Sequence, residues 1–321
     1  MTWPQDSKVL ALCGGVGGAK LALGLTHVLA AEQLTIAVNT ADDFEHFGLL
    51  VCPDLDTVTY TLAGLNNTET GWGRGDESWH CLESLEQLGA DTWFRLGDRD
   101  LAVHLTRRAL LDRGRTLSEA TASITEHLGI AHNVVPMSDA AVHTIIDTDE
   151  GELAFQQYFV REQCQPAVRG IAFNGASDAP LSAGLRNALE DPQLGAILIC
   201  PSNPFVSVAP ILALAGIKES IRRHTAAVIA VSPIVARKAI KGPTAKMMRE
   251  LGLELSALGV YQFYADLLDG FVIDEQDRGL IDEFPEPRRV HCCNTVMENL
   301  GDRIALAQEC LHFAASIEAL D

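Results

Sequence analysis

The sequence predicts an α/β fold in which a doubly wound, mostly parallel Rossmann-like sheet of about six strands carries an inserted α+β cap subdomain. Short apolar runs alternate with helical patterns at both ends of the chain, as expected for a parallel sheet built from βαβ units. A turn with four glycines follows the first apolar run, where such folds bind anionic ligands. The middle of the chain lacks this alternation, which indicates a separate subdomain.

The predicted sheet begins close to the N-terminus. Residues 9–13 and 34–39 are strand-like, and the helical pattern at about 20–30 is long enough for a right-handed crossover between them. Four further strands are predicted at 196–200, 227–231, 270–274 and 288–294. Helical patterns follow these strands at 206–215, 244–251, 275–283 and 300–319. Ligands are therefore expected at the carboxyl ends of the strands.

Residues 61–192 are predicted to form the cap over the edge of this sheet. Tandem helical patterns occupy 101–113 and 117–128, and strands at 143–147 and 153–160 flank the turn signal Thr148-Asp-Glu-Gly151. Residues 1–60 and 193–321 then form a Rossmann-like nucleotide-binding core.

The composition excludes several classes of function. The 321-residue chain has a formal net charge of -19, which argues against binding to nucleic acid or to an anionic membrane, because both require a surplus of Lys and Arg. Apolar stretches such as residues 208–217 are shorter than the roughly 20 residues of a membrane helix. The eight cysteines form no Cys-x-x-Cys pair, which argues against structural zinc and a disulfide framework. We expect a cytoplasmic protein with no membrane or nucleic-acid partner.

The turn Cys13-Gly-Gly-Val-Gly-Gly-Ala-Lys20 is the first candidate binding site. A strand that leads through glycines into a helix directs backbone N–H groups and the positive end of the helix at an anion. The dinucleotide fingerprint requires glycine or alanine at the position of Lys20. The P-loop requires Gly-Lys-Ser/Thr where Ala19-Lys20-Leu21 stands, so the turn matches neither motif. The residues assigned to phosphate binding are Gly14, Gly15, Gly17, Gly18 and Lys20. The alternative is a tight turn that needs glycine without any ligand.

Four aspartates follow the second predicted strand: Asp42, Asp43, Asp54 and Asp56. Clustered carboxylates beside a glycine-rich turn are the simplest way to hold a divalent cation against phosphate. The alternative is that Asp56 caps the next helix while Asp42 and Asp43 lie in a solvated turn. The loop Gly71-Trp-Gly-Arg-Gly-Asp76 favours an ordered site, and its Trp72 is a candidate to stack on a planar ring.

Charged residues in Trp93-Phe-Arg-Leu-Gly-Asp-Arg-Asp100 form a compact cluster at the start of a predicted helix. Arg95 and Asp98 either bind a hydroxylated ligand with an anionic group or belong to a salt-bridged helix start. The sequence leaves these two interpretations equally open.

Two loops that follow predicted strands complete the candidate phosphate site. The loop Cys200-Pro-Ser-Asn-Pro-Phe-Val-Ser207 offers Ser202, Asn203 and Ser207 to a phosphate or a base. The loop of residues 232–244 concentrates positive charge in an acidic protein, which favours a phosphate role over an exposed basic loop. Its candidates are Arg237 and Lys241, next to Lys238.

Seven motifs, in order over nearly the whole chain, resemble the 2-phospho-L-lactate transferase family of coenzyme F-420 biosynthesis. These motifs are Gly14-Gly-Val-Gly-Gly-Ala-Lys20, Asn39-Thr-Ala-Asp-Asp43, Cys52-Pro-Asp-Leu-Asp-Thr57, Gly71-Trp-Gly73, Leu96-Gly-Asp-Arg-Asp100, Pro201-Ser-Asn-Pro204 and Lys241-Gly-Pro-Thr-Ala245. The resemblance implies that a ribityl hydroxyl of the deazaflavin FO attacks a guanosine diphosphate ester of a three-carbon acid, with release of GMP and with Mg²⁺ as cofactor.

The resemblance also implies roles for individual residues. Asp56 and Arg95 match positions that the family uses for FO, and we place Thr40, Trp72 and Asp98 beside them. Asp43 and Asp56 are the candidate catalytic residues, because one of them accepts the hydroxyl proton or holds the metal. The candidate metal ligands are Asp43, Asp54 and Asp56.

Two other classes of function stay open at this point. A regulatory protein of the same superfamily would bind a nucleotide sugar without catalysis, and it would need the glycine turn but not the aspartates. A nicotinamide dehydrogenase is favoured only by the predicted fold. Which acid the donor carries is also open between lactate, enolpyruvate and glycerate, since they differ by one small group. We expect a homodimer because the cap helices are apolar.

Overall fold

A computed structural model describes residues 3–240 and 242–317 of the chain. Its strands are β1 (Lys8–Cys13), β2 (Leu34–Val38), β3 (Phe44–His46), β4 (Leu49–Val51), β5 (Asn133–Pro136), β6 (His143–Thr148), β7 (Gly151–Ala154), β8 (Val168–Asn174), β9 (Leu194–Ile199), β10 (Ala227–Val231), β11 (Ile234–Val235), β12 (Lys238–Ala239), β13 (Gly270–Asp274) and β14 (Val290–Cys293). Its α-helices are α1 (Val16–Thr26), α2 (Pro53–Leu62), α3 (His80–Gln87), α4 (Asp98–Leu111), α5 (Leu117–His127), α6 (Ala183–Glu190), α7 (Ala209–Leu212), α8 (Ile217–Arg223), α9 (Thr244–Glu250), α10 (Ala257–Tyr264) and α11 (Leu300–Ile317). Short 3₁₀ helices cover Ala31–Gln33, Glu275–Glu283 and Pro287–Arg289, and π-helical turns cover Gln157–Arg161 and Pro204–Val208.

Seven strands of the described residues form one parallel sheet in the order β14-β13-β10-β9-β1-β2-β5. The predicted doubly wound, Rossmann-like fold is confirmed, with seven strands where about six were expected. The additional strand, β5, lies within residues 61–192 and pairs with β2 at one edge of the sheet. The strand order reverses between β1 and β9, so the chain continues from these two strands to helices on opposite faces of the sheet and leaves a crevice at this edge.

The central strands are buried on both faces, which explains why they appear in the sequence as continuous apolar runs. Side chains alternate along β1, so that Val9 and Ala11 face one hydrophobic cluster while Leu10 and Leu12 face the other. Helices α1 and α11 cover the first face, and α6, α8 and α10 cover the second.

The cap contains α3, α4 and α5 together with the antiparallel sheet β7-β6-β8. The predicted hairpin is present, but its second strand ends at Ala154 instead of continuing to residue 160. Beyond that point the chain turns helically and stacks Phe155 on Phe159, with ring centroids 5.4 Å apart. This four-residue spacing of aromatic side chains fits a helical turn and not an alternating strand.

In residues 3–240 and 242–317, no single helix is both long and apolar enough to cross a membrane. The segments Pro204–Leu212 and Ile217–Arg223 meet the criteria of length and composition only when taken together, and they are bent by 79° relative to each other.

The contact between α1 and α11 yields a test of the packing. A Cβ on Gly24 would overlap the backbone carbonyl of Arg303. We therefore expect Gly24→Ala to lower the free energy of unfolding by about 1–3 kcal/mol, although alanine favours a helix by about 1 kcal/mol over glycine. Gly279→Ala is the matched control, because a Cβ at this position meets nothing within 4 Å. Urea denaturation measures both variants, and Gly279→Ala should be as stable as wild type. Equal stability of the two variants would contradict this packing.

Candidate active site

The glycine turn and the loop after β9 meet in the crevice between β1 and β9. The backbone N–H of Gly14 donates to Ser202 Oγ at 3.0 Å. A Cβ on Gly18 would lie 2.7 Å from the same oxygen, and one on Gly17 would overlap the carbonyl oxygen of Pro201. Close approach of the two loops therefore requires glycine at these positions, apart from any need to approach a ligand.

Asn39, at the end of β2, joins two aspartates beside this turn. Its Nδ2 lies 3.2 Å from Asp42 Oδ2 and 3.0 Å from Asp54 Oδ2. Its Oδ1 accepts from the N–H of Ala41 at 3.0 Å, which fixes the direction of the amide. A Cβ on Gly15 would lie 2.6 Å from Asp54 Oδ1, so the glycine turn and this carboxylate are in direct contact. We call Asp42 and Asp54 the Asn39 pair.

The Asn39 pair is electrostatically unusual. Burial, and next the charge of Asp54, raise the pKa of Asp42 well above its ordinary value. Burial likewise raises the pKa of Asp54 to about 6, against the opposite effect of hydrogen bonds from Asn39 and from the Gly15 N–H. Among the described residues, Asp42 Oδ1 is buried without a hydrogen-bond partner. Two adjacent carboxylates in this state favour the uptake of a proton or a cation.

The other two aspartates face Arg107 of α4. Arg107 makes a two-pronged ion pair with Asp56, through Nη2 to Oδ1 and, at 3.2 Å, through Nη1 to Oδ2. Burial raises the pKa of Asp43, and both a hydrogen bond with Cys52 and the charge of Arg107 oppose that shift. We call Asp43 and Asp56 the Arg107 pair. The predicted cluster of four aspartates is thus divided into two pairs with different partners.

A cavity of about 330 Å³ brings together much of the predicted site. The predicted residues that line it are Gly15, Gly17, Lys20, Asp54, Asp56, Trp72, Ser202, Asn203 and Ser207. The predicted residues that do not line it are Gly14, Gly18, Thr40, Asp43, Arg95, Asp98 and Arg237. Lys241 lies outside the described residues.

Arg95 and Asp98 make contacts outside the cavity. The guanidinium carbon of the exposed Arg95 lies 4.3 Å from the ring centre of Trp79. Asp98 accepts hydrogen bonds from Ser78 Oγ at 2.6 Å and from the backbone N–H groups of His80 and Cys81 at 3.1 and 3.0 Å. Asp98 therefore caps the start of α3, and not the helix that it opens, which differs from both interpretations of its sequence motif.

Arg237 and Thr40 also lie away from the cavity wall. Arg237 occupies the exposed tip of the β11–β12 hairpin, where it adopts a φ of 60°. Thr40 is buried next to Asn39, and its Oγ1 has no hydrogen-bond partner among the described residues.

The structure adds polar cavity residues that the sequence analysis did not assign to the site. They are Thr57, Tyr60, Thr70, Asp100, His104, Gln156, Thr244 and Thr295, and Asp42 of the predicted aspartate cluster also lines the cavity. The sequence does contain a pattern that groups three of the polar side chains at this end of the cavity. Asp100, His104 and Arg107 are spaced by four and three residues, so they share one face of α4. The segment with Thr295 and Met297 follows β14, and Lys20 Nζ donates to the Met297 carbonyl at 2.8 Å.

These features define a Rossmann-like protein with a polar crevice at its topological switch point. Residues 9–296 match the 2-phospho-L-lactate transferase CofD family. The chain therefore belongs to the 2-phospho-L-lactate transferase CofD family, and it is a transferase.

Individual relatives agree with this assignment. The chain is 40% identical to a 2-phospho-L-lactate transferase of Methanosarcina acetivorans, over 94% of this chain and 97% of the relative. It is 39% identical to the protein of the same name from Methanosarcina mazei, over 86% and 89% of the two chains. A phosphoenolpyruvate transferase of Streptomyces griseus is 36% identical over 97% of this chain and all of the relative.

A solved structure supports the fold. The crystal structure of a UPF0052 family member from Bacillus halodurans matches with a TM-score of 0.60, over 95% of this chain and 98% of that one. The sequences are only 14% identical, so this likeness concerns the fold alone.

The raised pKa of Asp42 predicts a pH-dependent effect of Asp42→Asn on stability. The unfolded carboxyl ionises near its ordinary pKa, whereas the folded one resists ionisation, so the wild type loses stability relative to the variant as the pH rises from 5 to 8. In metal-free buffer we expect Asp42→Asn to be the more stable protein at pH 8, with an advantage that shrinks toward pH 5.

Thermal unfolding followed by circular dichroism at several pH values measures this difference. Asp112→Asn is the control, because Asp112 is exposed at the end of α4 and its substitution should produce a flat difference. A pH-independent difference for Asp42→Asn would contradict the assigned environment.

Proposed function

We propose that this transferase acts in coenzyme F-420 biosynthesis and moves a phospho-three-carbon-acid group from a guanosine diphosphate ester to a ribityl hydroxyl of FO. The observation that carries the proposal is the cavity, because one space brings together a glycine turn, a pair of carboxylates and an apolar mouth. Family membership supports the same class of reaction.

The phosphate end of the donor is placed between the glycine turn and the loop after β9. Val16 and Gly17 begin α1 at the cavity wall, where the positive end of the helix and its unpaired first-turn N–H groups favour an anion. Lys20 adds positive charge at the same wall, and Ser202 and Asn203 add polar side chains from the opposite loop.

The Asn39 pair fits a magnesium ion that would accompany the diphosphate. Within the described ranges, no group of three or more His, Cys, Asp or Glu side chains is arranged to hold a metal. Magnesium, however, commonly binds one or two carboxylates together with substrate phosphates. Asp42 and Asp54 line the cavity, and the unpartnered Asp42 Oδ1 suits a hard cation. When bound, Mg²⁺ would neutralise charge on the diphosphate oxygens.

The proposed metal ligands are therefore Asp42 and Asp54, in place of Asp43 and Asp56. Asp43 does not line the cavity, and both oxygens of Asp56 already face Arg107. Asp54 is common to both sets.

The deazaflavin ring is placed at the apolar mouth. Trp72, Ile240 and Phe159 line the cavity although their side chains are 50%, 45% and 39% exposed. Large apolar side chains left open to water around one cavity fit a flat, weakly polar ligand. Thr70 Oγ1 donates to the Trp72 carbonyl at 2.7 Å, which holds the tryptophan loop in place.

Asp56 is placed at the acceptor hydroxyl, deeper in the cavity. The hydroxyl oxygen forms a bond to the phosphorus that carries the three-carbon acid, and the bond from that phosphorus to the oxygen shared with GMP breaks. GMP leaves with that oxygen and its electron pair, and the hydroxyl proton passes to Asp56 and then to solvent. Both oxygens of Asp56 are paired with Arg107, which holds this carboxyl group in place for the hydroxyl, and phosphoryl transfer depends mainly on alignment and charge neutralisation.

A reconstitution assay tests the proposal. Purified protein is incubated with FO, Mg²⁺ and, in separate reactions, the lactyl, enolpyruvyl and glyceryl diphosphoguanosines, and products are identified by mass. We expect GMP and an FO phosphodiester whose mass identifies the acid.

Asp54→Asn should lower turnover by at least about a hundredfold, as expected when a positioned charge at the reacting centre is lost.

Asp112→Asn, on the protein surface, should react like wild type. Absence of GMP and of the phosphodiester with all three donors, from protein that remains folded, would contradict the proposed function.

A further inference from the structure

A further carboxylate lies on the cavity wall near Asp56. Asp100, from the first turn of α4, lines the cavity, and 15% of its side chain is exposed. Tyr60 of α2 donates its hydroxyl to Asp100 Oδ1 at 2.5 Å. On the other oxygen, His104 Nε2 faces Asp100 Oδ2 at 3.4 Å, one helical turn away.

His104 contacts Arg107 through Nδ1. Arg107 Nη1 lies 3.2 Å from His104 Nδ1, and a guanidinium nitrogen only donates hydrogen bonds. His104 Nδ1 is therefore the acceptor in this contact, and Nε2 faces Asp100 Oδ2 without meeting hydrogen-bond geometry to any described residue. His104 also lies between the two carboxylates, because its Nδ1 is 3.7 Å from Asp56 Oδ2.

Tyr60 donates to Asp100 and Arg107 donates to Asp56, so a buried donor holds each of the two carboxylates. Burial alone would raise the pKa of Asp100, but His104, Tyr60 and the charge of Arg107 together lower it. A carboxylate has about four lone-pair sites, so each oxygen of Asp100 can accept one more hydrogen bond from the cavity side. No step of the transfer described above uses Asp100.

We propose that Asp100 is a specificity-determining residue that binds a non-reacting hydroxyl of the acceptor while Asp56 binds the reacting one. This inference rests on the proposed function. Tyr60 and His104 are positioning residues that keep Asp100 ionised and turned to the cavity. The acceptor class so defined is a flat apolar ring that carries a polyhydroxylated chain, with the ring at Trp72 and the chain along Asp100 and Asp56.

The test compares two acceptors. One is FO, and the other is a deazaflavin whose side chain retains only the reacting hydroxyl. The second acceptor lacks the hydroxyl that would bind Asp100, so it loses a hydrogen bond to a charged group. We therefore expect wild type to prefer FO by about 10- to 100-fold in kcat/KM. In Asp100→Ala, which leaves room for water, we expect this preference to fall to within about threefold of unity, with the KM for the donor unchanged. General damage to the fold would lower activity with both acceptors in parallel.

Two further variants make the result decisive. Asp112→Ala, on the same helix but exposed, should keep the wild-type preference. Tyr60→Phe keeps the buried ring and removes only the donor to Asp100, so it should lower the preference severalfold, and it decides the matter if Asp100→Ala fails to fold.

A wild-type preference retained in a folded Asp100→Ala or, if that variant does not fold, in Tyr60→Phe would overturn the role of Asp100 while leaving the proposed transfer intact. Failure of wild type to use FO would instead overturn the proposed function and this inference with it.

Discussion

The amide of Asn39 is the interaction on which the site depends. Its Nδ2 holds Asp42 and Asp54 side by side at the carboxyl end of β2, and Asp54 in turn touches the glycine turn after β1. Two segments separated by a hairpin are thereby joined to the crevice where the strand order of the sheet reverses. Without this amide, two buried carboxylates would face each other with no shared donor, which is costly in a low-dielectric interior.

Arg107 gives the second half of the site a different character. Its guanidinium is buried against Asp56 and pairs with both carboxylate oxygens, whereas the Asn39 pair has no cationic partner of this kind and burial raises the pKa of each of its carboxyl groups. The two pairs of aspartates can therefore have different tasks, which a single cluster of four equivalent aspartates could not. In the proposed reaction, phosphate charge would be neutralised at one end of the cavity and the acceptor hydroxyl would be oriented at the other.

The sequence was informative wherever the signal is local. The strands buried on both faces appear as uninterrupted apolar runs, and β1, β2, β9, β10, β13 and β14 were all predicted. The strand β5 was missed because it is four residues long, lies at the sheet edge and ends at Pro136. The glycine turn, Ser202 and Asp54 were placed at the cavity by their position after predicted strands.

Residues brought together by tertiary contacts were harder to predict. Arg107 lies 51 positions from Asp56, and no local pattern indicates that it divides the aspartates into pairs. Local patterns can also be ambiguous, as Asp98 shows. The sequence around it does not distinguish an aspartate that caps a helix from one that binds a ligand, and the structure shows that Asp98 accepts from two N–H groups at the start of α3. The sequence suggested the kinds of side chain in the site, whereas the partners of each side chain required coordinates.

Asp42 and Asp54, joined by Asn39, are the proposed cation site. Crystals grown with Mn²⁺ and guanosine diphosphate, measured at the manganese absorption edge, locate the metal directly. We expect an anomalous peak between the carboxylates of Asp42 and Asp54, in contact with the diphosphate. A peak at Asp43 and Asp56, or a bound diphosphate with no metal beside it, would contradict this assignment.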